Sequence, residues 1–201
     1  MHNVFISYHH QNDQYYKDAL LLMNKKVPVF IDGSVDTGDI SDDLMDETIR
    51  VKIRDEYLRQ SSVTIVLIGT ETKRRKHVDW EIISSMIDSK VNRKSGIIVI
   101  SLPSTNCPYY NVSHDKEKET VYPENKEWVS ITERQEYERR YPYLPDRIID
   151  NLLKPEAKIS VTNWNRIENN TMVLSFLIES AYNDRLACIY DTSRPMRRHN
   201  S

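Results

Sequence analysis

Two cysteines, Cys107 and Cys188, are all that the chain holds, too few for the disulfide framework that staples small secreted domains. Neither stands in metal-ligand spacing, so both are expected as free thiols. Excess charge of one sign is lacking as well. With 28 Lys and Arg against 30 Asp and Glu, a net charge of −2 gives no global field to recruit nucleic acid or an anionic membrane. The local basic runs, Lys73 to Lys76 and Arg194 to Arg198, read as a solvated loop and a tail. No apolar run approaches the roughly 20 residues that a membrane helix needs. Met1 to Asn3 lead directly into a strand pattern at Val4, which leaves no room for a signal peptide. A cytoplasmic protein is expected, with neither a membrane nor a nucleic-acid partner. Internal repeats and low-complexity segments are also missing.

What is present is alternation. In 201 residues, enough for one sizeable domain, short β-rich runs trade places with longer helical patterns. Val4 to Tyr8, Val27 to Ile31, Val63 to Ile68 and Ile97 to Ile100 read as four strands. Between them lie helical patterns over Asp13 to Lys25, Ser41 to about Arg59, and Trp80 to about Lys90. Continuously apolar strands alternating with helices predict a parallel sheet covered on both faces. Residues 103 to 130 hold Pro103, Pro108 and Pro123 among polar residues and read as a long irregular insertion, the kind that often serves as a lid or binding loop. A short helix over Pro145 to Leu153, a fifth strand over Ala157 to Thr162 and a last helix over Ile167 to Ile189 follow. The apolar stripe of that last helix is Met172, Phe176, Leu177 and Ala181. The expected organisation is one domain over 1–192 with a loose tail at 193–201.

In an open parallel sheet, ligands bind beyond the carboxyl ends of the strands, and three segments fall there. The first is His77-Val78-Asp79-Trp80-Glu81, just after the third strand. On a helical wheel Val78, Ile82, Ile83, Met86, Ile87 and Val91 make an apolar arc, and Glu81 falls opposite with Ser84, Ser85 and Asp88. This expects Glu81 off the core face, kept ionised by the helix dipole and ready to face positive charge. Trp80 is either a core residue or an aromatic wall beside the acid. The second segment, Ser7-Tyr8-His9-His10, crowds hydroxyls and imidazoles at the end of the first strand. No third ligand follows at metal spacing, so hydrogen bonding to a ribose or a phosphate is the better reading, and Asp13 is read as the cap of the next helix. The third is the loop from Ile31 to Ile40, whose Asp32, Asp36 and Asp39 lack Ca²⁺-loop spacing and would repel phosphate. It reads as a mobile recognition loop for sugar hydroxyls or a partner, and Ser41 as the cap of the helix beyond it.

Together, Val4 to His10, the Asp36-Thr37-Gly38-Asp39 loop and Lys76 to Glu81 resemble bacterial TIR-like domains, and among them the Thoeris-type antiphage proteins. The resemblance covers roughly residues 3 to 102. It implies a flavodoxin-like, doubly wound, five-stranded parallel sheet with helices on both faces. It also implies cleavage of the nicotinamide–ribose bond of NAD, as a substrate and with no further cofactor, to a cyclic or linear ADP-ribose. Glu81 stands at the position of the family's catalytic glutamate. Trp80 is adjacent to it, where the usual TIR pattern separates the two. The substrate-binding candidates are Ser7, Tyr8, His9, Asp36, Asp39 and Trp80, and no metal is expected. The expected partners are NAD, a separate effector reached through a diffusible nucleotide signal, and further copies of the chain.

Cleaving that bond suits a single carboxylate. The nicotinamide is already cationic and leaves neutral, so no general acid is required, while the carboxylate stabilises the developing oxocarbenium ion. Two other classes stay open. One is a non-catalytic interaction module docking a partner through the Asp32 to Asp39 loop and the insertion. The other is a nucleoside deoxyribosyltransferase-like enzyme, which also places a glutamate on a flavodoxin-like sheet. A phosphoreceiver fares worst, because the first strand ends in Tyr8-His9-His10 without paired acids and the third ends in Gly69 without an acceptor aspartate.

Overall fold

A computed structural model describes residues 1–33, 45–58, 60–89 and 93–200. Strands β1 (His2–Ser7), β2 (Phe30–Asp32), β3 (Val63–Ile68), β4 (Gly96–Ser101) and β5 (Ser160–Asn163) pair in the order β2-β1-β3-β4-β5, all parallel. All residues of β3 and β4 are buried, which is why both read as unbroken apolar runs. The expected five-stranded, flavodoxin-like α/β fold is the fold observed. No helix among the described residues is long and apolar enough to cross a membrane.

Strand alternation sends side chains to two separate layers. On one face Val4, Ile6, Ile65, Leu67, Ile98 and Ile100 meet α1 (His10–Lys26), α4 (Glu117–Val121), α7 (Trp164–Ile167) and α8 (Thr171–Asp184). Here α8 lies so close to the sheet that a Cβ on Gly96 would stand 2.1 Å from the Ala181 carbonyl oxygen, so only glycine fits. On the other face Val66, Ile68, Ile97 and Val99 meet α3 (Lys76–Met86), α5 (Arg134–Arg140) and α6 (Asp146–Leu152). Beside them Phe5, Trp80, Ile83 and Met196 pack with α2 (Asp46–Lys52) and the π-helical turn Ile53–Tyr57 that continues it.

Three expectations change. The insertion at 103–130 is a packed segment: Val121 and Tyr122 join the core, and Asn111 exchanges two backbone hydrogen bonds with Val161. Its loops are tied by the fully buried Glu117, whose Oε2 accepts from the Ser113 and His114 amides and the Ser160 hydroxyl at 2.7–3.0 Å. The prolines rule out a long helix, and a buried carboxylate satisfies the backbone instead. Met172 is 83% exposed, because Asn170 caps α8 by accepting from the Val173 amide and so sets the stripe at Val173, Leu174, Leu177, Ile178 and Ala181. The tail at 193–200 is docked: Met196 is buried, and the Arg194 and Pro195 carbonyls accept from Arg147.

Candidate active site between the first strand and the third helix

Helix α3 starts two turns of chain beyond β3 and lies over β1 and β3. Its polar stripe faces inward. The Ser7 hydroxyl donates to Glu81 Oε2 at 2.6 Å, and one turn further on the Ser85 hydroxyl meets that of Thr64 at 2.8 Å. Ser7 and Thr64 lie on β1 and β3, so Glu81 and Ser85, four residues apart, form a polar seam between helix and sheet. The wheel reading of Glu81 as an outward residue is therefore corrected. The wheel groups the right residues, but its polar side is sandwiched against the strands, and Glu81 is 3% exposed, Ser84 and Ser85 fully buried. The apolar arc of Val78, Ile82 and Met86 packs beside this seam against Val66, Ile68 and Val99 of the sheet and against Tyr137, Leu144 and Ile148 from the second half of the chain.

Burial decides the electrostatics of the acid. It pushes the Glu81 carboxyl up to about 7, against the Ser7 hydrogen bond and the Lys17 charge that both favour the anion. The expected dominance of the helix dipole over ionisation is thus overturned. A carboxyl poised near neutrality, with a single hydroxyl as its hydrogen-bond partner among the described contacts, is what general acid–base or cation-stabilising chemistry uses.

His9 lies two residues beyond Ser7, 7% exposed, with Nδ1 making no hydrogen bond among the described residues. Burial first, then the Arg75 guanidinium, lowers its pKa and favours the neutral ring. Tyr8 does not join Glu81. It points to the opposite sheet layer, donates to Gln14 at 2.6 Å and stacks on His10 at 4.5 Å. Trp80 is fully buried, and its indole N–H donates to the Arg197 carbonyl at 2.8 Å. It is a core residue, the first of the two readings the sequence left open. Asp36 and Asp39 lie outside the described residues, as does Ser41. Ser7, His9 and Glu81 are the sequence candidates that share this edge.

Other residues complete it. Asp13 does not cap α1: His9 holds the cap position, and the Asp13 carboxylate accepts from Thr72 Oγ1 at 3.2 Å. A Cβ on Gly69 would stand 2.5 Å from that carboxylate, so the bare glycine at the end of β3 lets α1 close over it. Two residues before Glu81, Asp79 accepts from Arg147 Nε at 2.9 Å and Nη2 at 3.1 Å, and from the Arg197 amide at 2.8 Å. Local patterning carries no trace of that pair, because Arg147 stands 68 positions away. Among the described residues no three His, Cys, Asp or Glu side chains converge to hold a metal ion.

Against known families, the one described as Thoeris protein ThsB, TIR-like domain, matches residues 5–107, a span that runs from within β1 through β4 and takes in Ser7 and Glu81. No curated protein matches the chain.

Proposed function

The chain belongs to the ThsB TIR-like family of Thoeris proteins, and on that footing we propose that it cleaves the nicotinamide–ribose bond of NAD with Glu81 as the catalytic carboxylate. The observation that carries this reading is a buried acid with a pKa near 7, held by Ser7 at the carboxyl edge of a parallel sheet. NAD is the substrate, and the reaction needs no cofactor. The C–N electron pair leaves with nicotinamide, which departs neutral, and the Glu81 carboxylate stabilises the ribosyl cation left behind. Water or a hydroxyl of the same molecule then donates its oxygen to that carbon and releases a proton, giving linear or cyclic ADP-ribose. The cationic nicotinamide itself favours ionised Glu81, so substrate binding draws the acid towards its working form. In this reading the product is the diffusible signal by which the chain activates a separate effector in antiphage defence, and self-association brings copies of the chain together.

A second reading, a non-catalytic interaction module, is favoured by one observation: the acid is 3% exposed. Mass analysis of NAD incubated with the protein under activating conditions separates the two. Nicotinamide with a cyclic or linear ADP-ribose is the expected result, and intact NAD contradicts it. Exchange of nucleoside bases without NAD cleavage would indicate a deoxyribosyltransferase-like enzyme instead.

A further inference from the structure

A cavity of about 310 Å³ opens where the 3-10 turn Thr72–Arg74 and the start of α3 face the first turn of α6 and the docked tail. Five cationic side chains line it, Lys73, Arg75, Arg147, Arg194 and Arg197, against two carboxylates, Asp79 and Asp146. The excess is uneven. Arg147 is committed to Asp79, and Arg194 to Asp150 at 2.5 and 3.0 Å. Both oxygens of Asp79 are already occupied by Arg147 and the Arg197 amide, so Asp79 has little capacity left to neutralise the other cations. Lys73 and Arg75 remain undercompensated. Lys73 donates to the Pro142 carbonyl, an uncharged partner, and keeps further protons to give. Arg75 lies 3.9 Å from Glu71, a carboxylate that Arg74 approaches more closely at 3.2 Å. Its Nε is buried and donates to nothing among the described residues. The Arg75 side chain as a whole is 30% exposed and lines the cavity.

We infer that this cavity is a phosphate-binding site whose ligand is a diphosphate group held by Lys73 and Arg75. The wall opposite is preorganised, since Arg147 ties α6 to α3 and holds the tail carbonyls of Arg194 and Pro195 at 3.0 and 3.1 Å. Arg75 also acts electrostatically on His9, which follows Ser7 at the end of β1. Two sources share this chemistry: the diphosphate of the dinucleotide substrate, which rests on the reading of the chain as an NAD-cleaving enzyme, and a separate nucleotide that does not.

The test is calorimetric titration of inorganic diphosphate and of ADP-ribose into the full chain and into the Lys73→Ala/Arg75→Ala variant. A Lys25→Ala/Lys26→Ala variant, which removes the same charge at the exposed end of α1, serves as the control. The expected result is binding to the full chain and to the control, weakened about tenfold or more in the cavity variant. Equal affinity in all three proteins, or no binding to the full chain, overturns the site. If the KM for NAD rises with kcat held in the cavity variant, the ligand is the substrate's own diphosphate. If diphosphate binding is lost while KM stays put, a separate nucleotide occupies the site. Should the protein leave NAD intact yet bind diphosphate through Lys73 and Arg75, the enzymatic reading fails and the site stands.

Discussion

Asp79 and Glu81 are both acids on α3, both buried, and two residues apart, yet their surroundings differ in kind. Asp79 faces α6 and the tail, where a guanidinium grips both its oxygens and a backbone amide adds a third hydrogen bond. Glu81 faces the sheet, where one serine hydroxyl donates to it and no cation comes within salt-bridge distance among the described contacts. A buried acid fully paired with arginine is a fastening, because its charge is already spent on a fixed partner. A buried acid left with a hydroxyl keeps its pKa adjustable and its charge available to a substrate. The same helix thus carries a structural acid on one side and the proposed catalytic acid on the other.

The largest expected effect lies on the structural side. Arg147→Ala should lower unfolding stability by about 3–5 kcal/mol, because Asp79 is left buried and unpaired. Urea denaturation measures it, and an Asp79→Asn/Arg147→Met double variant should recover part of the loss. If Arg147→Ala alone costs nothing, the two acids are not different in kind.

Next comes the pH dependence of stability. Glu81 rises from an ordinary 4.5 to about 7 on folding, so the folded state binds more protons than the unfolded one between those values. Its contribution is therefore full below about 4.5 and lost as pH rises through 7, a loss of about 3 kcal/mol. Glu81→Gln should flatten that part of the profile, as read by denaturant melts from pH 5 to 8.

A smaller effect separates the seam from the fastening. Removing the Ser7 hydroxyl takes away a donor that favours the anion, so Ser7→Ala should move the midpoint of the kcat/KM profile upward from about 7 by about one pH unit. An unmoved midpoint would detach that hydrogen bond from the chemistry. The smallest expected effect is Trp80→Phe, which loses the hydrogen bond to the Arg197 carbonyl, about 1 kcal/mol, and leaves the KM for NAD unchanged. A raised KM would return Trp80 to the substrate site.

The central strands were legible because β3 and β4 are covered on both faces and so are apolar throughout. The position of Glu81 was legible too, as a polar residue opening the helix after a buried strand. Its direction was not. A wheel tells which residues share a side, whereas the partner of each side is chosen by the whole fold. The apolar side of α3 is shared between the strand residues Val66, Ile68 and Val99 and the downstream Tyr137, Leu144 and Ile148, so the flank that carries Glu81 and Ser85 is left facing Ser7 and Thr64. Ser7 and Thr64, alternating with apolar neighbours along their strands, were the signal that could have shown it: two hydroxyls on the face of an otherwise apolar sheet need polar partners. The docked tail escaped for the same reason. Residues 193–200 look polar and solvated, yet Met196, the carbonyls facing Arg147 and Trp80, the Arg197 amide on Asp79 and the Arg194–Asp150 pair tie them down.

The most direct test of the Glu81 assignment is nicotinamide release from NAD by wild type and by Glu81→Gln at pH 7.5 or so, with circular dichroism and thermal melts of both. The expected result is a loss of about 10²-fold or more in turnover in a variant that folds as well as wild type. Equal turnover by the two proteins would contradict the account, since it would leave the unpaired acid of α3 with no part in the reaction.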